Sequence, residues 1–164
     1  MATMTEIQNK VNAAFQSQRY EKPLDLIRSF VAKANTAGEV QIPLTTEGPF
    51  IQESINIAFT KNSTSTPSGG TAQKRCFTKL KFESQAAGNA QSSDYIPVQL
   101  IATPGAEGSP RYGARPFYYC YPKGDALIIK YDNRAPAPIN GETNVSADER
   151  IEVCISGKVY PIEV

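Results

Sequence analysis

From Val40 onward, apolar side chains tend to recur at every second residue, and this period limits the possible folds more than any other feature of the chain. Ile51, Ile55, Ile57 and Phe59 alternate with Gln52, Ser54, Asn56 and Thr60, the pattern of a strand with one buried and one wet face. Cys76, Thr78, Leu80 and Phe82 oppose Lys79, Lys81 and Glu83 in the same way. Further sets are Ile96, Val98 and Leu100; Leu127, Ile129 and Tyr131; Ile151, Val153 and Ile155; and Tyr160, Ile162 and Val164. With Val40 to Leu44 and the aromatic run Phe117 to Tyr121, about eight strands are expected. A single flat sheet of that size would leave one apolar face in water, so two packed sheets or a closed barrel are the economical solutions.

The segments between these sets decide between the two. Asn62 to Gln73 and Gln85 to Ser93 are polar and read as loops, and Thr103 to Arg115 and Arg134 to Ala147 are rich in Gly, Pro and Ala. Long loops suit crossovers between sheets better than a tight meander, so the expected fold is mainly β, a two-sheet antiparallel β-sandwich of jelly-roll type over residues 39–164. Ser156-Gly157 is placed for a tight hairpin between the last two strands.

Residues 1–38 follow a different rule and are expected to form a short helical N-terminal arm. Thr5-Glu6-Ile7-Gln8 has capping-box spacing, and Ile7, Val11, Ala14 and Phe15 recur on one helical face. Pro23 suits the first turn of a second helix, whose stripe of Leu24, Ile27, Val31 and Ala34 would run to a stop at Gly38. Helices this short are marginal in water, so they need a surface, either the body or a neighbouring chain.

The chemistry available is narrow. The chain has 17 Lys plus Arg, 16 Asp plus Glu and no histidine. Imidazole acid–base catalysis, Ser-His-Asp and Cys-His nucleophiles and His-ligated metal sites are therefore excluded. No metal site, cofactor fingerprint or catalytic residue emerges, and a net charge of +1 gives no reason to expect a nucleic-acid partner. No run is long and apolar enough for a membrane span, and the polar Met1 to Lys10 is unlike a signal peptide. Cys76, Cys120 and Cys154 match no zinc spacing and are expected as reduced thiols. Ser68-Gly69-Gly70-Thr71 lacks the lysine of a phosphate-binding loop and reads as a flexible turn. An enzyme working with carboxylates alone would need a pair about 5 to 10 Å apart across a cleft.

Two surface features remain. Arg75, Lys79 and Lys81 fall on one face of a strand, a basic stripe that reads most simply as a solvated face. From Tyr112 to Tyr121 the chain carries five aromatic residues, Tyr112, Phe117, Tyr118, Tyr119 and Tyr121, too many for one face of one strand. Packing against another subunit is one explanation. The alternative is a lectin-like carbohydrate-binding module, with Tyr112, Tyr118 and Tyr121 as stacking rings and Asp125 or Asn133 as hydroxyl partners.

Phe50 and Ile57, then Tyr95-Ile96-Pro97-Val98, then Arg115-Pro116-Phe117 leading through Pro122-Lys123-Gly124-Asp125 into Leu127-Ile128-Ile129 and Asn133, and the closing Ile155-Ser156-Gly157-Lys158-Val159-Tyr160, form a pattern over residues 40–164. It resembles the β-sandwich accessory virion structural proteins of tailed bacteriophages. That resemblance implies a cement, decoration or minor head–tail part, made in the host cytoplasm and located in the virion, with no cofactor and no catalysis. The implied partners are copies of itself, as a trimer or larger ring, and the major capsid or another virion protein. The residues expected to make these contacts are Ile7, Val11, Phe15, Leu24, Ile27 and Val31 of the arm, and Arg115, Phe117, Tyr118, Tyr119 and Tyr121 of the aromatic strand.

Overall fold

The computed structural model describes residues 1–19, 22–44, 47–86, 88–92, 94–101 and 111–160, and the side chains of all these except 13–19, 88–92, 101 and 111–119. Helix α1 (Met4–Arg19) comes first, followed by β1 (Lys22–Ala32), β2 (Ala37–Pro43), β3 (Phe50–Phe59), β4 (Ser63–Thr66), β5 (Gln73–Arg75), β6 (Lys79–Ser84) and β7 (Gly88–Ser92). Then come β8 (Ile96–Pro97), a helical turn α2 (Val98–Ile101), β9 (Arg111–Tyr121), β10 (Ala126–Asp132), β11 (Thr143–Val145) and β12 (Glu149–Val159). The fold is mainly β with a short N-terminal helix, and every strand pair among the described residues is antiparallel.

One sheet has the order β1-β12-β3-β9, a second β2-β10-β6-β7 with β8 paired to β6, and a small third sheet β11-β4-β5. The alternating residues of the two larger sheets meet in one buried cluster. Phe50, Ile55, Ile57, Ile151, Val153 and Ile155 come from the first sheet, and Ile42, Leu80, Phe82, Leu127 and Ile129 from the second. Phe30 of β1 stacks on Tyr131 of β10 at 5.3 Å between ring centroids, so the cluster is closed by aromatic contact along the β1–β2 side.

The second expected helix is instead β1. Residues 22–32 pair with β12 along their whole length, from Lys22 opposite Val159 to Ala32 opposite Glu149. Leu24, Leu26, Phe30 and Ala32 have a period of two as well as the helical coincidence of Leu24, Ile27 and Val31, and the long ladder with β12 selects the former. Gly38 is accordingly a strand residue of β2, where a Cβ would lie 2.5 Å from the Tyr131 hydroxyl.

The Ser156-Gly157 hairpin is also corrected. Strand β12 runs straight through these residues, with its register against β3 shifting between them. The glycine serves close approach, since a Cβ at Gly157 would collide with the carbonyl oxygen of Ile51 and the Phe50 ring. The expected strand Ile96 to Leu100 breaks after two residues into α2, burying Val98 and leaving Leu100 exposed. All four expected loops overlap strands: β4 and β5 lie within Asn62 to Gln73 and its edge, β7 within Gln85 to Ser93, β11 within Arg134 to Ala147, and β9 begins at Arg111, inside Thr103 to Arg115. Threonine and serine supply enough β-propensity for the small sheet once β11 pairs with β4.

Buried polar groups fasten the strand ends. Asn133, fully buried, donates from Nδ2 to the carbonyls of Ala32 and Ala147, both at 2.8 Å, and its own carbonyl accepts from Ser146 Oγ at 2.6 Å. Glu149 accepts at Oε1 from the N–H groups of Phe77 (2.9 Å) and Thr78 (3.1 Å) and from Thr78 Oγ1 (2.9 Å). Asp125 accepts from Ser84 Oγ and from the N–H groups of Ala86 and Ala126. Each group satisfies backbone that no ladder reaches.

Candidate interaction surface

The cap of helix α1 (Met4–Arg19) lies two residues earlier than expected, at Thr3 instead of Thr5. Thr3 and Glu6 form the reciprocal box: the Thr3 N–H donates to Glu6 Oε2 at 2.8 Å, and the Glu6 N–H to Thr3 Oγ1 at 3.2 Å. The signal was present in Thr3-Met4-Thr5-Glu6, which overlaps the box assigned to Thr5 and Gln8. The helix has 16 residues, about 24 Å. Its apolar stripe is open: Met4, Ile7 and Val11 are 81%, 47% and 42% exposed. Phe15, on the same expected stripe, has its side chain outside the described residues.

In β1, Leu24 turns inward and packs against the core, so it is corrected from contact residue to core residue. Ile27 and Val31 point outward and are 67% and 44% exposed. Register places Ile27 beside Cys154 and Cys154 beside Asn56, with Ser29 next to Glu152 and Val31 next to Arg150. Over β1, β12 and β3 the outer face of this sheet therefore carries exposed Ile27 and Val31 among short side chains, with the charged Asp25, Glu152 and Arg150 around them. Sequence reasoning named Cys154 only as a reduced thiol and did not single out Asp25 or Glu152. The alternation of Ile151, Val153 and Ile155 already turns Glu152 and Cys154 outward, whereas the outward phase of Asp25 becomes readable only once β1 pairs with β12.

The outer face of the other large sheet is different. Glu83 is held between Lys130 (3.0 Å) and Lys81 (3.7 Å), and Arg134 is paired to Asp132 at 3.0 Å. The Arg134 hydrogen bonds hold the Asp132 carboxyl below its ordinary range. Lys79 and Lys81 thus sit on a face where acids and bases alternate, and Arg75 lies in the small third sheet, so the three do not form one stripe. Beside this face a cleft of about 260 Å³ is lined by Cys76, Phe77, Lys79, Pro97, Gln99, Leu100, Arg134 and Pro136.

On the aromatic strand the backbone of β9 pairs with β3, and the side chains of Tyr112, Arg115, Phe117, Tyr118 and Tyr119 lie outside the described residues. Tyr121 is corrected. It is 1% exposed, donates its hydroxyl to Gln52 Oε1 at 2.8 Å and stacks on Phe50. Asp125 and Asn133, the expected hydroxyl partners of a sugar, are buried and engaged in the clasps described above.

Among the described residues no group of three or more Cys, Asp or Glu could hold a metal ion. Burial raises the Glu149 carboxyl, against the lowering pull of its hydrogen bonds from Cys76, Thr78 and Phe77. Burial and the neighbouring Glu149 raise the Cys76 thiol well above its ordinary value, which makes it a poor nucleophile. Compared with protein-family models, with curated proteins and with solved structures, the chain matches none.

Proposed function

We propose that the protein is a non-enzymatic structural component of a bacteriophage virion, a capsid cement, decoration or minor head–tail part. It acts by forming a trimer or larger ring and by docking on a major structural protein. The observation that carries this reading is α1: a capped helix whose apolar stripe is exposed beside a body that already has its own closed core. An isolated helix of this length is barely stable in water, so a sequence that keeps such a stripe is built to cover it in an assembly.

Strand order supports the same reading. Leaving out the small third sheet and the two-residue β8, the strands in chain order are β1, β2, β3, β6, β7, β9, β10 and β12. The first, eighth, third and sixth share one sheet, and the second, seventh, fourth and fifth the other. Two interlocked Greek keys generate that arrangement, the jelly roll used by capsid and lectin domains and by cupins. Cupin metal chemistry leans on histidine, which this chain lacks. The test is mass spectrometry of purified phage particles from a host making the protein. The chain is expected at a fixed stoichiometry to the major capsid protein, and its confinement to the soluble lysate would refute the reading.

A further inference from the structure

We infer that the outer face of the four-stranded sheet, centred on Ile27 and Cys154, is the receptor for α1 of a second copy of this chain. The inference rests on the assembly reading above and names its contact. Three observations carry it.

The first is the contrast between the two outer faces. The face of the sheet containing β10 is occupied by alternating charges, Glu83 with Lys81 and Lys130 and Asp132 with Arg134, each neutralising the next. Such a face is finished in water. The opposite face, over β1, β12 and β3, carries Ile27 and Val31 among the short side chains of Ser29, Cys154, Ser156, Asn56 and Ala58, which let a helix backbone come close, with Arg150 beside Val31 at one end. Ile27 and Val31 stand exposed on it, and as β-branched residues they lose little side-chain freedom when covered.

The second is charge. Asp25 precedes Ile27 by two residues on the same face, and Glu152 pairs with Ser29, so a carboxylate stands on either side of Ile27. Neither forms an ion pair among the described residues, whereas Glu53 on this sheet is paired with Lys158. On α1, Lys10 lies next to the Ile7–Val11 stripe, so a helix seated with Ile7 and Val11 over Ile27 brings an ammonium toward Asp25 and Glu152.

The third is reach. Only positions 20 and 21 separate α1 from β1, and in the folded chain Met4, Ile7 and Val11 remain exposed. Ile27 and Val31 are open as well, so none of the described helix side chains covers the sheet of its own chain. Seated on a neighbour, its 24 Å lies within the span of an eleven-residue strand, about 36 Å. A head-to-tail contact of this kind forms a ring when its rotation closes on itself, as the assembly reading requires.

The native Cys154 thiol permits a direct test. In a Cys120→Ser background, a tagged chain carrying Val11→Cys and Cys154→Ser is mixed with an untagged chain that keeps Cys154, and the mixture is oxidised with copper phenanthroline. The expected product is a disulfide joining the thiol introduced at position 11 to Cys154 of the other chain. A matched chain with Asn9→Cys, on the opposite side of the helix, should give at least fivefold less. An intrachain bond in a single molecule carrying Val11→Cys and Cys154 would overturn the inference, because the helix would then cover its own sheet. Light scattering on the untreated protein separates the remaining outcomes. An oligomer that gives no crosslink overturns this receptor face and leaves the assembly reading standing. A monomer at every concentration overturns both.

Discussion

Replacing Asn133 with alanine removes the clasp that joins the turn after β1 to the segment before β12. Two Nδ2–H groups vanish, leaving the Ala32 and Ala147 carbonyls, each previously bonded at 2.8 Å, short of a donor in a fully buried site. Ser146 Oγ also loses its 3.2 Å contact with Asn133 Oδ1 but keeps its 2.6 Å donation to the backbone carbonyl. At about 1 kcal/mol of net stabilisation per lost bond, with a further cost for each buried carbonyl left short, the expected loss is about 3 kcal/mol. With a urea slope of about 2 kcal/mol/M for a domain of this size, the unfolding midpoint falls by about 1.5 M. Asn133→Asp should be worse at neutral pH, since a carboxylate would face the carbonyls of Ala32, Lys33 and Ala147. The assay is equilibrium urea unfolding followed by circular dichroism. A midpoint change below about 0.3 M for Asn133→Ala would refute the clasp as a source of stability.

Gly157→Ala places a methyl group against the Ile51 carbonyl and the Phe50 ring, and a loss of about 1–3 kcal/mol is expected by thermal unfolding; an unchanged midpoint would contradict the close approach of β12 and β3. Glu149 gives a pH signature. Its folded value is raised, so its contribution to stability is fully present below the unfolded value and is lost as pH rises through the folded one. Urea midpoints of wild type and Glu149→Gln, compared from pH 4 upward, should differ in slope over that window, and parallel curves would contradict the assignment. Asp148 has the opposite sign: lowered by the Ala34 N–H and Lys33, it stabilises above its unfolded value and loses that contribution as pH falls through the folded one, a dependence that Asp148→Asn should remove. Lys81→Ala leaves the buried Glu83 carboxylate paired to Lys130 at 3.0 Å and should cost less than about 1 kcal/mol, and a larger loss would mean that Glu83 depends on both lysines.

The parts of the fold that could be read from sequence are those where a single period spans a whole strand. Ile55, Ile57 and Phe59 in β3, Leu80 and Phe82 in β6, Leu127 and Ile129 in β10, and Ile151, Val153 and Ile155 in β12 all face the core as their alternation requires. The region around β1 was not legible, because Leu24, Ile27 and Val31 fit a helical stripe while Leu24, Leu26 and Phe30 fit a strand. The choice is made by β12, more than a hundred residues away. Gly157 misled for a related reason. A glycine needed for close approach between strands has the same letter as one needed for a turn. Tyr121, Asp125 and Asn133 look like binding groups in a list of residues, yet their partners Gln52, Ser84 and Ala32 lie far off in the chain, and these contacts bury them. The exposed Ile7 and Val11 were legible as a stripe, and Ile27 and Val31 as contact candidates, although the latter two reach the surface from a strand instead of a helix.

Sedimentation equilibrium of the full-length protein over a wide concentration range, in parallel with Val11→Asp, tests the claim that this chain is an assembly part whose helix makes the contact. The account predicts a wild-type mass of three or more chains and at least a tenfold weaker association for the variant. A wild-type protein that stays a single chain at every concentration, or a variant that assembles as well as wild type, would contradict it.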